Sequence, residues 1–130
     1  MNWKKGRGKL GPLAPLIGSW AASADSPRGK LQCTREFTEV LGGKYIELKA
    51  SWKFAKGNYE ELALFGVDDG VLTFWSYTSD GKRSTGVLAS APDIHADAVC
   101  FEAQMPAGLA RHVYWPNAEG GFNWAVESKN

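Results

Sequence analysis

The sequence predicts an all-β fold, a single antiparallel up-and-down β-barrel of about 8–10 strands with a short helical turn near the N-terminus. Three observations lead to this prediction: apolar residues alternate with a period of two, turn-forming residues recur at close spacing, and aromatic residues and glycine are abundant. The 130 residues include six Trp, six Phe, four Tyr and fifteen Gly, a mixture that suits strands and tight turns.

The clearest alternation lies in the third predicted strand, which covers residues 45–55. Five apolar side chains share one of its faces: Ile46, Leu48, Ala50, Trp52 and Phe54. Charged and hydroxyl side chains occupy most of the other face, so this strand is expected to have one buried and one solvated side.

Turn chemistry separates nine predicted strands along the chain. Their spans are 18–24, 31–40, 45–55, 59–67, 71–78, 83–91, 97–105, 110–117 and 122–128. Gly42-Gly43 and Asp80-Gly81 are typical of the connections, because glycine readily adopts the positive φ angles of hairpin turns. Short connections favour pairing of successive strands, and pairing of the last strand with the first would remove two exposed edges. A helical turn over 13–17 is expected to plug one end.

Charge and composition exclude several classes of partner. Fifteen Lys and Arg against fourteen Asp and Glu give a formal net charge of +1, so nucleic acid is not an expected partner. No apolar run approaches the roughly 20 residues that span a bilayer, and the basic start lacks the apolar stretch of a signal peptide. We therefore expect one cytoplasmic domain over residues 1–130, in which 1–11 form a mobile basic tail. Cys33 and Cys100 lack metal-ligand spacing, so no metal site is expected and a disulfide is optional.

Two segments in the first third of the chain carry a resemblance. Gly18-Ser19-Trp20 resembles the Gly-x-Trp signature at the start of lipocalin-like (calycin) barrels, and Phe-Thr-Glu-Val-Leu-Gly-Gly-Lys-Tyr over 37–45 looks like the second strand and turn of small bacterial lipocalin-like proteins. The resemblance implies a barrel that binds a small, mostly apolar molecule, with Trp20 closing one end. Fatty-acid-binding proteins are more distant, because a helical pair separates their first two strands.

The candidate ligand-binding residues are aromatic and polar side chains on the predicted strands: Trp20, Arg35, Trp52, Trp75, Tyr77, His112, Tyr114 and Trp124. Trp and Tyr combine a flat apolar ring with an N–H or O–H group, while Arg can hold a carboxylate by two hydrogen bonds. Arg83 is an alternative anchor. In strand 110–117, one register directs His112 and Tyr114 inward and the other directs Arg111 and Trp115 inward. Strands 59–67 and 71–78 are likewise ambiguous, since both of their faces carry apolar or aromatic residues.

The predicted function is binding of a small apolar or amphipathic molecule inside the barrel, with no catalytic motif and no predicted cofactor. One alternative is an enzyme that uses His112 or a buried carboxylate, such as Glu60, Glu61 or Glu102, in the cavity. Another is a haem barrel of the nitrobindin type, which holds iron through a late His. His112 is the only late candidate, and residues 21–23 depart from the glycines of that family. A third alternative is an interaction module that pairs as a homodimer through a sheet face.

Overall fold

The computed structural model describes residues 3–26, 29–54, 57–105 and 108–128. A 3-10 helix, η1 (Gly11–Leu16), is followed by nine strands: β1 (Gly18–Ser26), β2 (Gly29–Val40), β3 (Tyr45–Phe54), β4 (Gly57–Asp68), β5 (Val71–Thr78), β6 (Arg83–Ala89), β7 (Val99–Met105), β8 (Gly108–Pro116) and β9 (Phe122–Ser128). All nine belong to one antiparallel sheet in the order β1 to β9. The predicted all-β meander is therefore confirmed, and the predicted end of β3 at Ala55 lies outside the described residues.

The sheet curls into a half-barrel with one concave face. Within the described residues, β9 pairs only with β8 and β1 only with β2, so the predicted pairing of the last strand with the first is not formed. We call the gap between β1 and β9 the seam. Side chains close it at one end, where the ring centroids of Phe122 and Trp20 lie 4.8 Å apart.

The main core fills the concave face near this closed end of the seam. Its large members come from η1 and six strands: Leu13, Leu16, Phe37, Ile46, Leu48, Phe65, Leu72, Phe74, Phe101 and Tyr114. Alternation explains their placement, because every second residue of a strand points to the same side of the sheet. Burial of each such Leu or Phe side chain stabilises the fold by roughly 1.5–3 kcal/mol.

The η1 segment plugs one end of the half-barrel, close to the helical turn predicted at 13–17. Leu13 and Leu16 are fully buried there. The indole Nε1 of Trp20 donates a hydrogen bond of 2.7 Å to the carbonyl of Leu16, which fastens η1 to β1. Upstream, Trp3 packs on Phe122 and donates from Nε1 to the carbonyl of Asp97. The mobility of residues 1–11 stays a prediction. In the part of the chain that the structure describes, no helix is long and apolar enough to cross a membrane.

The longer connection between β6 and β7 folds over the outer face of the sheet. Ala91, Cys100 and Val113 form a second small core beneath it. Arg111 donates to both carboxylate oxygens of Asp93, at 3.0 and 2.9 Å, and so ties the connection to β8. Arg111 therefore points outward, which places the alternate residues His112 and Tyr114 on the concave face.

Candidate functional site

A layer of polar side chains crosses the concave face beside the main core. Arg35 from β2 lies between Tyr114 from β8 and Glu61 from β4, and Glu61 in turn accepts a hydrogen bond from Ser76 of β5. The register explains part of this arrangement, because Arg35, Ala50 and Glu61 are neighbours across β2, β3 and β4. The small Ala50 side chain leaves room for the two longer ones to meet. A buried layer of this kind concentrates the polar chemistry of the concave face.

Arg35 is the central group of this layer. Its side chain is 6% exposed, and its Nη2 donates a 2.8 Å hydrogen bond to the Tyr114 hydroxyl. Its Cζ lies 4.3 Å from the ring centroid of Trp124 and 5.6 Å from that of Trp52, within the range of cation–π attraction. Its Nε and Nη1 are buried and meet hydrogen-bond geometry with no partner, although the Cys33 thiol, a weak acceptor, lies near the guanidinium. A buried donor without an acceptor costs about 1–3 kcal/mol, and more when it is charged, so an acceptor from outside the chain that reached these two nitrogens would remove that cost.

Glu61 supplies the counter-charge. Its Oε1 lies 3.9 Å from Arg35 Nη2, and its side chain is 12% exposed. Its Oε2 accepts a hydrogen bond of 2.5 Å from Ser76 Oγ. Glu61 therefore lies in the layer with one oxygen bonded to Ser76 and the other facing Arg35.

The other titratable groups that face the layer are uncharged at neutral pH. Burial lowers the pKa of His112, although the negative charge of Glu61 opposes that shift. Burial also raises the pKa of the Tyr114 phenol and of the Cys33 thiol, against the opposing effect of the Arg35 charge. The imidazole, the phenol and the thiol are thus all neutral, and the layer's two charges are those of Arg35 and Glu61.

Enclosed space beside the layer is small. A void of about 10 Å³ lies next to Glu61, His112 and Tyr114, which is room for roughly one water molecule. The His112 ring packs on Phe74 with 5.3 Å between ring centroids, and its Nε2 is buried without a hydrogen-bond partner. The void would have to open widely before His112 could meet a substrate or a porphyrin.

The larger space lies at the seam. A cleft of about 670 Å³ opens between the edge strands, and its lining includes Trp20, Cys33, Arg35, Trp52, Glu119, Phe122 and Trp124. We call it the seam cleft. The rings of Trp52 and Trp124 lie 6.0 Å apart along its wall. Trp124 Nε1 lies near the Tyr114 hydroxyl without meeting hydrogen-bond geometry, and is buried without a partner. The seam cleft thus combines aromatic walls with unpaired donors.

Most of the sequence-predicted site residues share the concave face. Those on it are Trp20, Arg35, Trp52, His112, Tyr114 and Trp124. The seam cleft is lined by Trp20, Arg35, Trp52 and Trp124, and the Trp20 indole also donates its N–H to η1.

The structure places Trp75 and Tyr77 on the opposite face of β5. The concave positions of that strand are held by Leu72, Phe74 and Ser76, all of which are buried. Tyr77 is 52% exposed and lines an open groove of about 780 Å³, which Arg35 and Glu61 also border. The Tyr77 and Trp75 side chains nevertheless lie on the face of the sheet opposite to the polar layer. The alternative anchor Arg83 is also exposed on the outside.

Sequence reasoning missed that Glu61 pairs with Arg35 and that Cys33 lines the cleft. The alternation of side chains along each strand was the signal that could have shown this. Cys33 and Arg35 are two residues apart and share one face of β2, and Glu61 lies on the same face of β4 as the buried Ala63 and Phe65. Among the residues that the structure describes, no group of three or more His, Cys, Asp or Glu side chains is arranged to hold a metal ion.

No protein-family model, curated protein or solved structure matches this chain.

Proposed function

We propose that this chain binds a small molecule with a flat apolar body in the seam cleft, where Arg35 holds a hydrogen-bond acceptor of that molecule. One observation carries the proposal: Arg35 Nε and Nη1 are buried and unpaired beside a cleft walled by Trp52 and Trp124. An acceptor atom of a ligand would remove the cost of these two unpaired donors.

The size and lining of the cleft support the same function. Sites for small molecules commonly occupy about 300–1,000 Å³ and combine apolar walls with a few polar groups. The seam cleft, at about 670 Å³, has this composition. This is the ligand-binding role that the lipocalin-like start implied, with the ligand located at the seam rather than in an enclosed interior.

The geometry gives less support to the enzyme and haem alternatives. Glu61 and His112 do share a void, but its volume of about 10 Å³ suits a water molecule rather than a substrate. A haem on His112 would require the imidazole to leave Phe74 and the void to expand. Binding in the seam cleft requires neither change.

The test compares the wild-type protein with a variant that lacks the Arg35–Glu61 pair. The substitutions Arg35→Met and Glu61→Gln are combined so that no unpaired charge is left buried. Tryptophan fluorescence is followed while 2-naphthamide and 2-naphthoate are added in separate titrations, because Trp52 and Trp124 line the cleft. We expect a saturable change in the wild type, and at least about a tenfold loss of affinity in the variant, as for lost hydrogen bonds to a charged donor.

Arg83→Met is the matched control, since it removes an exposed arginine from the outer surface. It should bind as the wild type does. The proposal fails if neither probe changes the wild-type fluorescence, or if the double variant, shown to be folded by circular dichroism, binds as tightly as the wild type.

A further inference from the structure

The charge balance around Arg35 restricts which head group suits the seam cleft. The guanidinium already has a counter-charge, because Glu61 Oε1 lies 3.9 Å from Nη2. The Ser76 hydroxyl holds the other oxygen of Glu61 at 2.5 Å, which fixes the carboxylate in this position. The pair is mostly shielded from solvent, so its net charge of zero is what a ligand meets.

Within the described residues, the seam cleft is lined by no basic side chain other than Arg35. His112, Tyr114 and Cys33 are neutral. The aromatic rings beside Arg35 present their negative faces to its cation, and such faces attract cations rather than anions. At the rim, the exposed carboxylate of Glu119 also lines the cleft and carries the same sign as an anionic ligand.

The need for an acceptor nevertheless remains. Arg35 Nε, Arg35 Nη1 and Trp124 Nε1 are buried donors without partners. A carbonyl oxygen can accept from such donors without adding a net charge. An amide would also bring N–H groups for Glu61 Oε1, which lies too far from Arg35 Nη2 to share a hydrogen bond with it.

We infer that the seam cleft selects uncharged aromatic molecules with a carbonyl or amide head group over the corresponding carboxylates. This inference rests on the proposed function and adds the class of ligand. Glu61 is the residue that sets the selection, because it neutralises the cation that would otherwise attract an anion.

The experiment measures the ratio of dissociation constants for 2-naphthamide and 2-naphthoate, which share one ring system and differ in charge. We expect the wild type to prefer the amide by at least about tenfold at neutral pH, the ratio that corresponds to about 1.4 kcal/mol. In Glu61→Gln the guanidinium loses its counter-charge, so the preference should reverse in favour of the naphthoate.

Glu60→Gln is the matched control, because Glu60 is the next residue on β4 and its side chain is exposed on the other face. This variant should keep the wild-type ratio. The inference is overturned if the wild type binds the naphthoate as tightly as the amide, a result that needs no variant. It is also overturned if folded Glu61→Gln keeps the wild-type ratio. If neither probe binds, the proposed function itself is overturned. If the probes bind but the carboxylate is preferred, only the inferred ligand class is overturned.

Discussion

Three partners of different chemistry surround the Arg35 guanidinium inside the concave face. Tyr114 accepts from Nη2, Glu61 supplies the opposite charge, and the ring of Trp124 lies against Cζ. Removal of one member of a buried charged pair leaves the other uncompensated and costs about 3–5 kcal/mol. For this reason, changes to Arg35 and Glu61 are informative when made together.

His112 should make the stability of the fold depend on pH. Burial lowers its pKa from the ordinary value of 6.5, so below that pH the unfolded chain takes up a proton more readily than the folded one. The contribution of His112 to the free energy of unfolding is therefore fully present above pH 6.5. It decreases as the pH drops from there toward the lowered pKa of His112 in the folded state. We expect the wild-type free energy of unfolding to fall by up to about 1.4 kcal/mol per pH unit in this window.

The measurement is urea denaturation between pH 7.5 and pH 5, with His112→Phe for comparison. Phe keeps a ring against Phe74 and removes no partner of Nε2, so it should lack this part of the slope. His95→Gln leaves His112 in place and should retain it. A slope that is identical in the wild type and in His112→Phe would show that His112 is not its source.

At the scale of the elements, η1 shows how a few apolar residues replace a longer helix as a plug. The segment has only six residues, and its stability comes from tertiary contacts, since a helix this short is marginal in water. Leu13 and Leu16 enter the main core, and the Trp20 indole holds the last turn.

Leu16→Ala tests this dependence. Truncation of a fully buried Leu leaves a cavity, so the free energy of unfolding should fall by about 2–5 kcal/mol. Ile17→Ala, at the next residue with 37% of the side chain exposed, should cost clearly less. Chemical denaturation measures the free energy of unfolding of both variants. Equal losses in this free energy would mean that η1 does not anchor the end of the half-barrel.

The strands themselves could be predicted because alternation and turn residues are local signals. The ambiguous faces could not be decided in the same way. On β5, Phe74 and Trp75 are both aromatic, and only the packing of Phe74 on Phe65 and Phe101 shows which of them is inside. The Arg35–Tyr114 hydrogen bond joins residues 79 positions apart, so it depends on how the whole sheet curls. Period-two patterning carries no information about that curvature.

At the scale of the whole molecule, side-chain contacts hold the seam together, and no backbone hydrogen bond joins β1 to β9 in the part of the chain that the structure describes. Phe122 is the main contact, since its ring lies near those of Trp3, Trp20, Phe37 and Tyr114. The same ring bounds the seam cleft. The two free edges therefore depend on one aromatic cluster for their relative position.

Phe122→Ala should loosen the seam. We expect a loss of about 2–4 kcal/mol in the free energy of unfolding, somewhat below the range for a fully buried Phe. Amide hydrogen exchange should also accelerate in β1 and β9 more than in β4 and β5, because the edges open before the centre of the sheet. Val126→Ala, on an exposed residue of the same strand, is the control. Uniform acceleration across all strands would argue against a locally held seam.

The sequential strand order also shapes how the chain reaches this structure. Every strand pairs with its immediate neighbour along the chain, from β1 through to β9. Each pairing closes a short loop at little entropic cost, and the next hairpin can add to the one before it. A sealed cylinder would need a final step that brings two distant ends of the polypeptide into register, and such non-local steps slow folding. Because β1 and β9 stay unpaired, this chain can fold by adding one hairpin after another, with no final long-range strand pairing to complete.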